Sequence, residues 1–264
     1  MIQIFLGSII VALGIYTFTK YPIKSDMKSL TLGALFVVVS IILKRFSIML
    51  PLFGYDSLRL GFEMLPLMIA GFMLKPAYCF MIGIVADLIG LIIVPTGFPF
   101  LGFTLNQVLT PLIPSLLCEW IQPNHERKIR MLVPIGLITM AVASIFYIMS
   151  LDSIVVSSNT VILDVVYKIL LSALAIAVVI ILLTSMYYIK KKLNETDSFL
   201  FYRWVVCCIV VELVVVLIAT PLWLDIMYGI PFMLSLLLRV IKSTIMIPLN
   251  ILVGYSIYRV LKKF

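Results

Sequence analysis

The chain has 264 residues, of which 63% are hydrophobic and only 12% are charged, whereas about 25% of the residues of an ordinary soluble domain are charged. The mean hydropathy of +1.22 excludes a soluble globular domain and a disordered chain. The apolar runs are about 15 to 28 residues long, which fits membrane-spanning helices and not the alternating strands of an outer-membrane barrel. The net charge of +8 is therefore interpreted first as a signal of membrane topology.

Nine apolar segments are predicted to cross the membrane as helices. In chain order they cover residues 1–19, 29–50, 61–75, 76–94, 104–121, 131–150, 161–189, 200–221 and 233–261. The predicted fold is therefore an all-α polytopic membrane protein with about nine transmembrane helices. The largest connections on the outer side, 51–60, 95–103, 151–160 and 222–232, are expected to be short loops.

Basic residues are concentrated in alternate connections, which hold fourteen of the twenty Lys and Arg residues. The positive-inside rule makes these connections cytoplasmic. We therefore expect a multi-pass protein of the cell membrane with its N-terminus outside and its C-terminus in the cytoplasm. Because Met1–Phe5 carries no basic residue, the first segment is expected to be a retained helix and not a secretory signal.

The sequence offers little for an enzyme. His125 is the single histidine and lies in a polar connection, so a multi-histidine metal site is excluded, and no GxxxxGK[ST] motif for ATP binding occurs. The four cysteines lie inside apolar segments and are expected to be buried thiols. No catalytic residue, cofactor or metal site is predicted.

Some basic residues fall outside the cytoplasmic connections. They are Lys44, Arg45, Arg59, Lys168, Arg239 and Lys242. Charges at membrane depth are costly and usually face a cavity or a partner. Helical rise places Arg45 near the outer surface, and Arg59 follows in the next outer connection. Arg239 and Lys242 share one face of the last segment.

We expect an outer basic cluster that binds an anionic ligand, formed by Arg45, Arg59, Arg239 and Lys242. The alternative is that each snorkels or pairs with an acid such as Asp56, Glu63 or Asp87. Lys168 is expected to pair with Asp164, four residues earlier.

Other polar and aromatic residues stand out inside the apolar segments. Asp87 lies mid-segment beside the small residues Gly83 and Gly90, which indicate either close helix packing or a ligand contact. The charge of Glu212 is similarly costly at membrane depth, and no partner for it is evident from the sequence. Three aromatics, Phe98, Phe100 and Phe103, are either an interfacial belt or a surface that stacks on a flat ring.

The order of motifs from Thr31 to Leu117, and again in the tail, resembles a known family. The motifs are Leu32-Gly-Ala-Leu35, Leu58-Arg-Leu-Gly-Phe62, Ala86-Asp-Leu-Ile-Gly90, Pro95-Thr-Gly97, Phe100-Leu-Gly-Phe-Thr-Leu105, Leu109-Thr-Pro-Leu-Ile-Pro114, Thr220-Pro-Leu-Trp223, Tyr228-Gly-Ile-Pro-Phe232 and Arg239-Val-Ile-Lys242. Together they resemble the folate family of substrate-binding S components of energy-coupling-factor (ECF) vitamin transporters.

The resemblance implies a six-helix core with a pocket open to the outside, plus three extra helices. It divides the chain into an extra N-terminal helix at 1–28, core helices one to four at 29–121, an inserted helical hairpin at 131–189, and core helices five and six at 200–264. It also implies partners, namely a transmembrane coupling subunit and two cytoplasmic ATPases. The hairpin is expected to pack outside the core.

The resemblance implies folate as the ligand, whose flat pterin ring and two carboxylates suit the candidate residues. We expect Arg45, Arg59 and Arg239, together with Lys242, to bind the carboxylates. Phe98 and Phe100 are expected to stack on the ring, and Asp87 or Asn106 to hydrogen-bond its edge.

The family's Ala-xxx-Ala docking pattern corresponds to the stretch that contains Gly33, Ala34 and Val38, where Val38 replaces the second alanine. That replacement, together with the inserted hairpin, leaves two alternatives open. The chain is an S component for another vitamin, or it is a membrane scaffold that has lost transport.

Overall fold

The computed structural model describes residues 2–23, 26–52, 55–93, 99–122, 126–150, 153–156, 159–162 and 195–262, and scattered positions between 165 and 187. Helices dominate because backbone N–H and C=O groups in lipid must be satisfied inside the segment. The helices are α1 (Ile2–Lys20), α2 (Met27–Arg45), α3 (Met64–Met73), α4 (Pro76–Ile93), α5 (Leu101–Trp120), α6 (Glu126–Ser150), α7 (Glu195–Val211), α8 (Thr220–Tyr228) and α9 (Phe232–Leu261). A π-helix, Glu212–Ala219, joins α7 to α8.

Six described helical segments are long and apolar enough to cross a membrane. They are Ile2–Lys20, Met27–Arg45, Pro76–Ile93, Leu101–Trp120, Asp197–Tyr228 and Ser235–Leu261. Two shorter apolar stretches, Met64–Met73 and Val133–Tyr147, accompany them. The chain is therefore a multi-pass membrane protein, while the count of nine spans stays a prediction.

The helices confirm the predicted all-α class, and two short β-hairpins occur in the connections. Strands β1 (Ile48–Leu52) and β2 (Tyr55–Leu60) pair antiparallel, as do β3 (Ser153–Val156) and β4 (Asn159–Ile162). The expected loops at 51–60 and 151–160 are thus largely strands, and the second helix ends at Arg45 and not at residue 50. Lys44 and Arg45 form the last turn of that helix, and the apolar residues that follow Ser47 belong to β1.

Two buried clusters hold the bundle together. The larger one joins α3, α7 and α9 around Trp204, which packs edge-on to Phe72 at a ring-centroid distance of 5.3 Å. The smaller one joins α1, α4, α5 and α8 around Phe80, Phe100 and Trp223. This second cluster surrounds the candidate site.

Helix ends and close contacts follow from particular residues. The side chain of Asp26 caps α2 by accepting from the backbone N–H of Lys28, and the hydroxyl of Ser29, 2.6 Å away, holds the pKa of that carboxyl below its usual value. A Cβ on Gly83 would stand 2.4 Å from Cα of Val108. Gly83 therefore allows α4 and α5 to pack backbone against backbone.

The helix after α5 lies outside the smaller cluster. α6 packs against α7, and the hydroxyl of Tyr147 donates to the carbonyl of Met233 in α9 at 2.8 Å. The described residues between 165 and 187 are helical, and Nζ of Lys168 donates to the carbonyl of Met149 at 3.4 Å. Asp164, the expected partner of Lys168, lies outside the described residues.

Candidate ligand-binding site

Asp87 is buried in α4, with 5% of its surface exposed, on the same stripe as Gly83 and Gly90. The Thr104 hydroxyl in α5 donates to Asp87 Oδ2 at 2.7 Å. An ionised carboxylate accepts about four hydrogen bonds, and among the described residues Thr104 supplies one. Asp87 therefore links two helices and retains acceptor capacity for N–H donors of a ligand.

Asn106 is the second buried polar residue at this position in the bundle. Its amide Nδ2 donates to the hydroxyl of Thr220 at 3.1 Å, and its Oδ1 accepts from the indole N–H of Trp223 at 3.0 Å. Asn106 thus connects α5 to α8, on the side of α5 opposite to Thr104. Both side-chain groups of this buried amide have a protein partner, which offsets the cost of burial.

The π-helix places Thr220 for this contact. Pro221 has no backbone N–H, so the i→i−4 ladder cannot continue through it. The carbonyl of Val215 accepts from both the backbone N–H and the hydroxyl of Thr220, the latter at 2.6 Å. The Thr220 hydroxyl is therefore held in place and presents its oxygen to Asn106.

Aromatic residues line the same region. The Phe100 ring lies 5.9 Å from that of Phe103 and 6.0 Å from that of Trp223, with tilted or edge-on geometry. A Cβ on Gly102 would clash with both Phe100 and Trp223, so this packing requires glycine there. Phe100 is buried in the cluster, whereas Phe98 lies outside the described residues.

Lys44 and Arg45, adjacent in α2, point in different directions. The buried stripe of α2 runs through Gly33, Val37 and Ser40, and the next position with helical spacing is Lys44. Nζ of Lys44 lies 3.6 Å from the position that a Cβ on Gly90 would take, one turn from Asp87. Lys44 therefore reaches the Asp87 side of α4.

Arg45 is exposed instead. It lines a groove of about 570 Å³ between α2 and α4, together with apolar residues such as Ile42 and Ile89. The structure thus places Arg45 beside a lateral groove and not with Asp87 and Asn106. Lys44 is therefore a further candidate for the basic cluster, and the role of Arg45 stays a prediction.

Arg59 is described through its backbone, which pairs with Met49 in the first hairpin; its side chain lies outside the described part of the chain. Strand β2 packs against α9, which carries Arg239 and Lys242. The backbone therefore brings the three basic residues onto neighbouring elements.

Glu212 has a partner that the sequence did not reveal. The hydroxyl of Ser243 in α9 donates to Glu212 Oε1 at 2.7 Å, and the carboxylate is within electrostatic range of Lys242 and Arg239. Nε of Arg239 also donates to the hydroxyl of Ser235 at 3.4 Å. The two α9 cations therefore face an acid of the protein as well as the interior of the bundle.

The three expected docking residues do not share one surface. Gly33 is buried, and a Cβ there would lie 3.0 Å from the side chain of Ile82 in α4. Ala34 and Val38 are exposed, Val38 to 55%. Gly33 thus packs α2 against α4 and is not exposed together with Ala34 and Val38.

Some polar contacts escaped the sequence analysis. Thr104, Thr220 and Trp223 were noted only as parts of motifs, and their roles depend on contacts between distant segments. Thr104 shares its motif with the candidate Phe100, whereas the motif that contains Thr220 and Trp223 holds no candidate residue. Among the described residues, no group of three or more His, Cys, Asp or Glu could hold a metal ion.

The fold and the site define a helical membrane protein with a small buried polar network in an apolar bundle. No family model matches the chain. Its sequence is 29% identical over 113 residues to the Folate transporter FolT of Clostridium novyi (strain NT), which covers 41% of this chain. The chain spans 59% of the length of that relative.

The fold is similar to that of a solved structure described as the crystal structure of FolT bound with folic acid. The TM-score is 0.51 at 18% identity, and the match covers 90% of this chain and 95% of that chain. At this identity the likeness establishes the fold. Together the two comparisons confirm the resemblance to the folate family of S components that the sequence motifs indicated.

Proposed function

We propose that this chain is the substrate-binding S component of an ECF vitamin importer and that its ligand is folate. The observation that carries the proposal is the agreement of two independent similarities. One is a sequence match to a folate transporter, and the other is a fold match to a structure that contains folic acid. The chain itself is not an enzyme in this proposal, and the energy for transport comes from partner ATPases.

The polar network supports a ligand with hydrogen-bond donors on a flat ring. Asp87 is buried next to apolar residues and has acceptor capacity beyond the Thr104 hydroxyl. Pockets for such ligands are mostly apolar and hold a few fixed polar groups. We assign Asp87 to the N–H edge of the pterin and Phe100 to the aromatic wall. Asn106, on the α8 side of α5, is the alternative contact for the ring edge.

The basic residues support the anionic end of the same ligand. We assign Arg59, Arg239 and Lys242 to the folate carboxylates, because charge-assisted hydrogen bonds are the strong ones in a water-poor site. Lys44, one turn from Asp87, is assigned to an acceptor on the ring, and Arg45 lies beside the lateral groove. Glu212 balances part of the charge on α9 before the ligand arrives. Binding of a dianion then replaces solvent and counter-ions around these cations.

The proposal includes partners and orientation. The exposed apolar face of α2, with Ala34 and Val38, is assigned to docking on the transmembrane coupling subunit, which itself binds two cytoplasmic ATPases. Alternate basic connections support an N-terminus outside and a C-terminus in the cytoplasm. Folate is then captured from the outer side of the membrane.

The inserted hairpin, 131–189, is assigned to stability or partner choice and not to the pocket. Its first helix packs on α7, and Tyr147 bonds the backbone of α9. The polar contacts of Asp87 and Asn106 involve α4, α5 and α8. Excising 131–189 and joining the flanking ends should leave folate affinity within about tenfold, or ~1.4 kcal/mol.

Uptake of radiolabelled folate tests the transport proposal against a scaffold role. The assay uses a folate-requiring bacterial host that expresses this chain with a coupling subunit and ATPases, or the chain alone. Transport predicts uptake only with the complete set and co-purification of the coupling module. Stable capture of a different partner with no folate uptake would instead support a scaffold.

A further inference from the structure

The first helix packs one continuous face against α4 and α5. Its buried residues, Leu6, Ile10, Gly14 and Thr17, follow helical spacing. Leu6 is only 1% exposed and belongs to the cluster that contains Phe100 and Trp223. α1 therefore packs into the bundle along its length.

Close contacts fix the register of α1 against α4 and α5. A Cβ on Gly7 would lie 3.5 Å from the side chain of Leu101, and a Cβ on Gly14 would lie 3.0 Å from the ring of Phe80. The rings of Phe18 and Phe80 meet edge-on at 5.8 Å. The beginning of α1 consequently lies beside the beginning of α5.

Gln3 makes the polar contact at this junction. Its Oε1 accepts from the backbone N–H of Leu101, the first residue of α5, at 3.1 Å. The N-cap residue of α5, Phe100, provides no side-chain cap, while its carbonyl accepts from Phe103 and Thr104. The first N–H groups of a helix have no intrahelical acceptor, so Gln3 caps α5 from a different helix.

The first turn of α5 carries or adjoins much of the candidate site. Phe100 precedes it and packs against Trp223, Thr104 bonds Asp87, and Asn106 follows within the next turn. A change in the direction of this turn would move the aromatic wall and both polar contacts together. The backbone of α5 therefore connects the Leu101 amide that Gln3 caps to the groups assigned to the pterin, so the direction of the first turn sets their positions.

We propose that α1 forms a wall of the ligand site and that Gln3 is a positioning residue, which acts through the Leu101 amide on the first turn of α5. The inference rests on the proposed function for the identity of the ligand. Lipid chains can replace the apolar contacts of Leu6 and Ile10, because lipid tails are as apolar as these side chains. They cannot supply a hydrogen-bond acceptor for the Leu101 N–H.

Three single variants of the full chain test the proposal. Gln3→Leu keeps the size of the side chain and removes the acceptor. Gln3→Glu keeps an acceptor, and its charge is favourable beside a helix N-terminus. Ser8→Ala is the control, because Ser8 is exposed and its hydroxyl bonds the carbonyl of Phe5 within α1.

The first measurement is the rate of release of radiolabelled folate from purified protein in lipid nanodiscs. Gln3→Leu should release folate about 3- to 10-fold faster, the range expected for loss of one helix cap, with little change in the association rate. Gln3→Glu and Ser8→Ala should stay within about twofold of the original chain. Unchanged release in Gln3→Leu, or equal acceleration in Gln3→Glu, would overturn the proposal.

Hydrogen exchange of the peptide 99–108 without ligand is the second measurement, and it does not depend on the choice of folate. Exchange should accelerate in Gln3→Leu and be restored in Gln3→Glu. If the original chain binds no folate, the proposed function fails. The exchange rates would still show whether Gln3 caps α5. Normal exchange in Gln3→Leu would show that Gln3 does not hold α5.

Discussion

Replacing Lys44 and Arg45 in turn tests which of two adjacent cations belongs to the ligand site. The variants are Lys44→Met and Arg45→Met, which keep an unbranched side chain and remove the charge. Lys44 continues the buried stripe of α2 and reaches Gly90, one turn from Asp87, whereas Arg45 is exposed in the lateral groove. Successive residues of an α-helix differ by about 100° in direction, so the two side chains cannot serve the same site equally.

The expected magnitude follows from the energy of a charge-assisted hydrogen bond, which is about 1.5–3 kcal/mol. Lys44 is only half-buried, so the lower end of that range applies. Lys44→Met should therefore raise the Kd for folate about tenfold or somewhat more. Arg45→Met should change it by less than about twofold.

The assay is equilibrium binding of radiolabelled folate to both variants in detergent, at two salt concentrations. Thermal unfolding of each variant without ligand shows that the bundle is intact. A loss of affinity in Arg45→Met that equals or exceeds the loss in Lys44→Met would refute the reasoning. It would return Arg45 to the position that the sequence analysis gave it.

Three further predictions concern the bundle. Asn106→Leu leaves the buried Trp223 indole without its acceptor, so the free energy of unfolding in detergent should fall by about 1–3 kcal/mol. The double variant with Trp223→Phe should lose less free energy of unfolding than the two single variants lose together. Simple additivity of the two losses would contradict the contact. Gly83→Ala should lower the free energy of unfolding by about 1–3 kcal/mol because the added Cβ meets the α5 backbone. Gly136→Ala is the control and should not lower it, because there is open space around Gly136. Equal effects of the two variants would argue against close packing of α4 on α5. Glu212→Gln keeps an acceptor for the Ser243 hydroxyl, so in the same denaturation experiment it should change the free energy of unfolding by less than about 1 kcal/mol, whereas Glu212→Leu removes that acceptor and should lower it by about 1–3 kcal/mol. Equal effects of the two variants would contradict the hydrogen bond.

Hydropathy and motif order were enough to predict the membrane class and most helices. Asp87 stands out in the sequence because a charge inside an apolar segment needs a reason to be there, whereas Asn106 is expected only from the family resemblance. Both side chains are buried, on α4 and α5, and their roles in binding stay predictions. The match to a folate transporter confirms the resemblance from which folate was inferred.

The β-hairpins could not be predicted in the same way. Ile48–Leu52 is as apolar as the helix before it, and a short apolar run is compatible with either a helix or a strand. The partner of Glu212 could not be predicted from the sequence either. Ser243 is 31 residues away, and only packing of the π-helix on α9 brings the two residues together. Contacts between distant segments are set by tertiary structure, which local patterns do not encode.

Lys44 and Arg45 cannot be distinguished by their distance along the axis of α2, because both lie near one end of that helix. The direction around the axis decides between them, and it requires the buried stripe through Gly33, Val37 and Ser40. Gly33 itself illustrates the same point, since its direction packs it against α4, whereas Ala34 and Val38 are exposed.

The most direct test of the central claim is titration of the purified, ligand-free chain with folate, in parallel with thiamine, riboflavin and pantothenate. The account predicts saturable, one-to-one folate binding with a Kd below one micromolar, about 8 kcal/mol of binding free energy or more. It also predicts that the other three vitamins bind at least a hundredfold more weakly, a difference of about 2.7 kcal/mol. Tight binding of another vitamin, or binding of none below the micromolar range in a monodisperse protein, would contradict it.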